Sequence, residues 1–361
     1  MKTMLTGAII LITLVANAQD SITKTQAPTL AFSGYVEAYY SYDFNKPEDN
    51  TRPGFLYSHN RHNEFNANLA FIKAAYSSER VRASFAIATG TYVNANYSAE
   101  PGTLKNIYEA NAGYKLSRTS NLWFDIGIMP SHIGFEGAIS KDCWALTRSL
   151  VAENSPYFES GAKLGYTANN GKLSLSVLAL NGWQRITRVN SNSLMSWGSQ
   201  VYLKPTDKIT LNYSTFLGTD KPDSVRLWRI YHNIYGIFQF NDKVGLTAGF
   251  DIGTEQVSKG SSEKNTWYTP VAILRFTPNS QWAVGIRGEY FRDVKGVIIA
   301  TGTLNGFRTS GISLNVDCLP ISNVAMRVEG RLLNSKDEIF FKAGGPTSTT
   351  TAATFSIAVS F

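Results

Sequence analysis

Cysteine and histidine are scarce in this chain of 361 residues, which holds two of the first and four of the second. Cys143 and Cys318 are too few and too separated for a zinc or redox motif. Their expected places, a long loop and a strand end at opposite rims, put them out of bridging reach. Charged residues make up only 17% of the chain, and no run of five or more Lys and Arg occurs. The formal charge of +7 is therefore scattered over solvated surface, with no concentrated patch for nucleic acid. Long apolar runs are missing as well. Beyond the first twenty residues nothing approaches the ~20 apolar residues of a helical membrane span. No Pro-rich or low-complexity seam divides the chain, which argues for one large unit. Helical periodicity is almost absent.

What is present begins with an export signal. Lys2 supplies a basic start, Met4 to Val15 a short apolar stretch, and Ala16-Asn17-Ala18 a small-residue cleavage site. Residues 1–18 are expected to be a signal peptide and 19–29 a short periplasmic segment, too short for a plug domain. No cysteine follows the cleavage site, so no lipid anchor is indicated.

From residue 30 to 361 the dominant signal is period-two alternation, the pattern of strands with one apolar and one polar face. In the first run Phe32, Gly34, Val36, Ala38, Tyr40 and Tyr42 alternate with Ser33, Tyr35, Glu37, Tyr39 and Ser41. Sixteen segments of about ten residues, the length of a tilted membrane strand, follow this rule. They fall near 30–43, 64–76, 80–92, 105–117, 121–130, 157–168, 172–183, 194–204, 208–218, 228–240, 243–254, 266–276, 281–291, 307–319, 324–333 and 351–361. Short links alternate with long ones. Asn169-Asn170-Gly171, Asn241-Asp242 and Pro320-Ile321-Ser322 are examples of the first, and 44–63, 131–156 and 334–350 of the second. Tight turns at one rim and long loops at the other are the habit of transmembrane barrels. The expected fold is all-β, a transmembrane antiparallel up-and-down β-barrel of about 16 strands with periplasmic turns and extracellular loops.

Charge and aromatics follow the same alternation. The polar phase carries Glu37, Arg82, Glu109, Lys115, Asp125, Glu159, Lys163, Asp251, Arg275, Arg287, Glu289, Asp317, Arg327, Glu329 and Arg331, expected to line a pore. A Lys or Arg on the lipid side at mid-membrane costs ~2–4 kcal/mol, so this bias is what a bilayer-facing wall requires. Lys73 breaks it, falling in phase with Phe65, Ala67, Leu69 and Phe71; a β-bulge near Ile72 or snorkelling would account for it. Tyr166, Phe240, Phe276, Trp282 and Phe361 beside the short turns, and Tyr42, Phe65, Tyr268 and Tyr290 beside the long loops, form an expected aromatic girdle. Phe355, Ile357, Val359 and Phe361 share a face, and this ending resembles the signal read by barrel assembly machinery.

Several blocks resemble the OmpL-like β-barrel porin family: Ser33-Gly34-Tyr35-Val36-Glu37-Ala38-Tyr39-Tyr40, Tyr57-Ser58-His59-Asn60-Arg61-His62-Asn63-Glu64 and Pro130-Ser131-His132-Ile133-Gly134-Phe135-Glu136. So do Lys141-Asp142-Cys143-Trp144, Glu153-Asn154-Ser155-Pro156-Tyr157 and Asn181-Gly182-Trp183-Gln184-Arg185. The resemblance covers the mature chain and implies a porin-like barrel in the outer membrane of a Gram-negative bacterium. It carries over no substrate and no catalytic residue.

The expected function is passive diffusion of small hydrophilic solutes or ions. The partners are outer-membrane lipid and those solutes, with no cofactor and no nucleic acid. Homo-oligomers rest on fold-level analogy. Eight acids against seven bases on the inward phase predict weak charge selectivity. The longest loop, with Glu136, Lys141, Asp142, Arg148 and Glu153, is a candidate constriction if it folds inward and a surface loop if not. Trp144 to Val151 could make a short amphipathic helix. Arg275, Arg287, Arg327 and Arg331 would then form a cationic strip facing an acidic loop. A surface receptor or adhesin is the rival reading. A barrel enzyme with a metal held by His59, His62 and His132 is another, although no nucleophile motif stands out.

Overall fold

A computed structural model describes residues 27–361, so the expected signal peptide and most of the segment after it lie outside the described residues. In chain order the elements are β1 (Thr29–Asp43), β2 (Phe65–Ser77), β3 (Val81–Thr89), α1 (Thr91–Asn96), β4 (Ile107–Lys115), β5 (Asn121–Pro130), α2 (Leu150–Glu153), β6 (Phe158–Thr167), β7 (Leu173–Leu180), β8 (Ser196–Thr206), β9 (Ile209–Gly218) and β10 (Arg229–Gln239). There follow β11 (Val244–Gln256), β12 (Lys264–Asn279), β13 (Trp282–Asp293), β14 (Phe307–Ile321), β15 (Val324–Ser335), β16 (Phe340–Lys342), β17 (Gly345–Thr347) and β18 (Thr349–Ser360). All but β16 and β17 form one closed antiparallel barrel of sixteen strands, each paired with its chain neighbour, and β18 closes the ring against β1. The expected architecture is the observed one. Strands β16 and β17 make a separate small ribbon within the last long loop.

Closure is finished by the last residue. Gly34 N–H donates to the Phe361 carbonyl at 2.7 Å, and Phe361 N–H donates to the Gly34 carbonyl at 3.0 Å. The Phe361 ring lies where a side chain at position 34 would be, so a larger residue there would have to displace the ring. With both edges joined, no strand of the barrel leaves an unpaired row of backbone groups for lipid to meet.

Side-chain exposure divides the strands as the alternation requires. Along β15, Ala325, Arg327, Glu329, Arg331 and Leu333 are buried while Met326, Val328 and Leu332 are exposed. The girdle residues Phe65, Phe240, Phe276, Trp282 and Phe361 are exposed on the outer surface, and Tyr42, Tyr166, Tyr268 and Tyr290 are half-buried there.

Lys73 points inward, and the reason is a bulge four residues earlier than the one anticipated. Glu37 pairs with Leu69 but Ala38 pairs with Ala67, leaving Asn68 as the extra residue of β2. From Asn68 onward the phase reverses. Leu69 is fully buried, Ile72 is 66% exposed, and Lys73 reaches Glu109 at 2.7 Å. Leu69 and Phe71, read as lipid-facing, therefore face the interior; Phe71 stacks on Tyr35. The Asn68 side chain is held by its neighbours: its amide donates to Glu37 at 2.9 Å and its oxygen accepts from His59 N–H at 2.9 Å. The same spot ends β3. Gly90, at φ +121°, lies against the Asn68 carbonyl, where a Cβ would clash. The chain turns there into α1 instead of continuing as strand to residue 92.

Three expected turns contain proline, and in each the strand runs on into the turn with a bulge. The register slips between Leu203 and Thr206, between Phe276 and Asn279, and between Cys318 and Ile321. Pro205, Pro278 and Pro320 fall inside these slips. Without an N–H, proline cannot donate to the ladder and is tolerated at such irregular places.

The outward phase supplies a stability test. Leu314, in the middle of β14, is 52% exposed on the outer face. Leu314→Arg is expected to lower the unfolding free energy in lipid vesicles by ~2–4 kcal/mol, and Leu217→Arg, exposed at the long-loop end of β9, by ~0–1 kcal/mol. Denaturant titration of vesicle-refolded protein checks both.

Candidate functional site: the barrel lumen and its inserted loop

The inward side chains alone do not fill this barrel, because a ring of this strand number encloses more space than its wall residues occupy. The 131–156 segment fills much of the remainder. It leaves β5 at Pro130, folds into the lumen, and is tied to wall residues on strand after strand.

His132 anchors the descent. Its Nδ1 lies 2.7 Å from Glu159 of β6 and its Nε2 2.9 Å from the Thr215 carbonyl of β9. The His132 carbonyl accepts from Gln200 at 2.9 Å and from Ser214 at 2.8 Å. Gly134 N–H then donates to Asn233 of β10 at 3.1 Å, and the Phe135 ring packs edge-on against Tyr235. On the far side Ser140 sits between Tyr35 and Glu37 of β1. Arg327 of β15 donates to the Ser140 and Cys143 carbonyls. Leu146 N–H donates to Asn315 at 3.1 Å, Thr147 N–H to Glu329 at 2.6 Å, and Leu150 N–H to Glu289 at 2.6 Å. Arg287 returns a bond to the Thr147 carbonyl at 2.6 Å.

The segment also binds itself. The Arg148 guanidinium donates to the carbonyls of Gly137 at 2.6 Å, Leu146 at 2.7 Å and Ala138 at 2.8 Å. Ser149 caps α2 and bonds to Glu136. Of the stretch read as a helix only Leu150 onward is α-helical; Trp144 to Leu146 is not, and Leu146 has its N–H committed to Asn315 and its carbonyl to Arg148. At the outer end Glu153 accepts from Tyr57 N–H at 2.9 Å and Ser58 N–H at 3.2 Å, joining this loop to the one after β1. Of the five loop residues singled out from sequence, Glu136, Arg148 and Glu153 are buried in the lumen, Lys141 is half-buried and Asp142 is exposed.

The charged wall residues are inward, and most of them are paired. Arg327 meets Asp317 at 2.7 Å, Arg287 meets Glu329 at 2.7 Å, Arg331 meets Glu289 at 2.7 Å and Arg82 meets Asp125 at 2.6 Å. Arg275 lies 3.5 Å from Asp317, and Asp251 is bonded by Tyr231 and Asn233. Lys115 and Lys163 are half-buried and form no ion pair among the described residues. The arginines do not make a cationic strip across from an acidic loop. Wall acids interleave with Arg287, Arg327 and Arg331 on the same strands, and Arg287 and Arg327 also donate to loop carbonyls. Paired and hydrogen-bonded charges of this kind tolerate burial that isolated ones would not.

The histidines are spoken for separately. His59 Nε2 is 3.1 Å from Glu37, His62 Nδ1 accepts from Asp43 N–H at 2.9 Å, and His132 is held as above. They share no partner, and no group of three potential metal ligands occurs among the described residues. Cys143 and Cys318 are both free; the inserted loop carries Cys143 off the rim and into the lumen, to Arg327. The residues that sequence reasoning missed are the uncharged anchors Asn68, Gln200, Ser214, Asn233 and Asn315. All of them sit on the inward phase, which was the available signal.

Two cavities occur among the described residues, and the smaller of them lies against the inserted segment. One of about 900 Å³ opens among the long loops and is lined by Asp43, Arg52, Phe55, Ile299 and Phe340, among others. A second, of about 460 Å³, lies against the loop between Ser33, Lys73, Tyr108, Glu109 and Phe135. Their linings have no residue in common.

Burial pushes the Glu153 carboxyl up to about 7, against the lowering effect of the Tyr57 N–H bond and of Arg148. A raised carboxyl keeps its proton in the folded state after the unfolded chain has lost it. The contribution of Glu153 to the anchored loop is therefore largest below about pH 4.5 and is lost as pH rises to about 7, by on the order of 3 kcal/mol. Limited proteolysis of the loop at pH 5 and pH 8 should show faster cleavage at pH 8, and Glu153→Gln should flatten that difference. An unchanged pH slope in the variant would remove Glu153 as its source.

The sequence model of a family described as "Putative beta-barrel porin-2, OmpL-like" matches residues 29–361. No curated protein matches the chain. Solved structures share the fold. An anion-selective porin from Comamonas acidovorans is 8% identical, with a TM-score of 0.60 over 93% of this chain and 100% of that one. Outer-membrane expressed OmpT of Vibrio cholerae is 10% identical, with a TM-score of 0.59 over 94% and 100%. Salmonella typhi OmpF, in complex with daunomycin, is 12% identical, with a TM-score of 0.58 over 92% and 97%.

Proposed function

The chain belongs to the OmpL-like β-barrel porin family, and from that premise we propose that it is an outer-membrane diffusion channel for small hydrophilic solutes or ions, throttled by the 131–156 segment. The carrying observation is the pairing of a closed, polar-lined barrel with a loop tied at mid-lumen to β1, β6, β8–β10 and β13–β15. The cavity among the long loops would serve as an outer vestibule, and the one against the segment as a lower chamber, for a permeating solute.

Weak charge selectivity follows from the same geometry. The inward carboxylates and guanidiniums are paired at 2.6–2.7 Å, so the wall offers a solute little net field. The vestibule is likewise mixed, with Asp43, Glu48, Asp49 and Glu338 beside Lys46, Arg52 and Lys342. Export by the leader at residues 1–18, recognition of Phe361 by barrel assembly machinery, and assembly into homo-oligomers complete the proposal. A closed barrel serving as a surface receptor is the second reading. It is favoured by the complete burial of Leu146, Arg148, Ser149 and Leu150.

Planar-bilayer recording separates the two. The channel reading expects small, discrete conductance steps and a reversal potential near zero in a KCl gradient. Replacing residues 136–150 with a short Gly-Ser link should raise the step size severalfold. A wild-type barrel that never conducts, in preparations where the linked variant does, favours the receptor reading.

A further inference from the structure

The outer vestibule contains a charged group with too few partners. Arg52, in the loop after β1, is 3% exposed, and its Nε has no hydrogen-bond partner among the described residues. Its one ion contact there is Asp43, at 3.6 Å. That is well beyond the ~2.7–2.9 Å of a charge-assisted hydrogen bond. Asp43 is occupied elsewhere: the Thr350 hydroxyl approaches its two oxygens at 2.9 and 3.1 Å, and Asn45 N–H donates to it at 3.0 Å. The backbone that carries it is nonetheless fixed in place. A β-bridge joins Thr51 to Arg61, Arg61 donates to the Thr51 hydroxyl at 2.6 Å, and Arg52 N–H donates to the Asn60 carbonyl at 2.9 Å. A buried cation with donors to spare is costly unless an anion completes it.

We propose that this vestibule binds a small monocarboxylate with an apolar body, the carboxylate taken by Arg52 and the body by Phe55, Ile299, Ile339 and Phe340. The cavity of about 900 Å³ that Arg52 lines is large enough for such a ligand. Its apolar wall is organised, since Phe55 packs edge-on against Phe307 at 4.8 Å and lies 6.1 Å from Phe340. The charge balance favours a monoanion. Arg52 already has Asp43 nearby, and Glu48 and Glu338 also line the cavity. A doubly charged phosphate would meet repulsion from these acids that one carboxylate largely escapes. The site adds a substrate class to the proposed channel and holds solutes at its mouth whether or not they then pass.

Isothermal titration calorimetry of the refolded full-length barrel in detergent tests this, with 3-phenylpropanoate, 3-phenylpropanamide and inorganic phosphate as probes. The carboxylate is expected to give saturable binding, at least tenfold tighter than the amide or phosphate. Arg52→Met should weaken the carboxylate at least tenfold and leave the amide unchanged, with Arg52→Lys between. The comparison of acid with amide needs no variant, so it stands if Arg52→Met fails to fold. Equal binding of acid and amide, binding of phosphate as tight as that of the acid, or no binding at all would overturn the site. Calorimetry reads occupancy independently of conductance, so a negative result leaves the channel reading intact, and a silent bilayer leaves this one intact.

Discussion

A ring of sixteen tilted strands encloses more volume than its inward side chains can occupy, and the structure is organised around that excess. Water would fill it if nothing else did. Here a 27-residue connection between β5 and β6 turns into the space and satisfies backbone groups on the wall. Backbone polar groups brought away from bulk water need partners, and the wall supplies them as carboxylates, amides and guanidiniums at matching heights. The charged lumen is the mechanism by which the loop stays inside.

This changes the meaning of the inward charges. An arginine facing open water would act on permeating ions. Arg287 and Arg327 instead divide their donors between a carboxylate of the wall and a carbonyl of the loop. Arg148, the loop's own cation, is spent on three carbonyls of its own segment. Arg52 stands apart because the loop carrying it leaves it close to Asp43 without a hydrogen bond to it.

Sixteen strands, their order and their inward and outward faces were legible from the chain, because lipid and water impose opposite chemistry at successive positions. Strand ends agreed within a few residues except where a special backbone feature intervened. Gly90 stops β3 early, and Pro205, Pro278 and Pro320 let strands continue through a bulge into what read as turns. The Asn68 bulge was harder. Leu69 and Phe71 are as apolar as lipid-facing residues, so only the misplaced Lys73 betrayed the phase change, and it could not say where the extra residue lay.

The sequence by itself determined the kind of protein, since period-two alternation and its charge bias are local properties that any neighbouring strand would read alike. Whether the longest loop lay outside or within, and whether Arg287, Arg327 and Arg331 faced water or carbonyls, was decided only in three dimensions. Those contacts join residues more than a hundred positions apart, as Thr147 and Leu150 do with Glu329 and Glu289. No short-range pattern encodes such a meeting. It follows from closure of the ring, which fixes the height and direction of each inward side chain before the loop can find it.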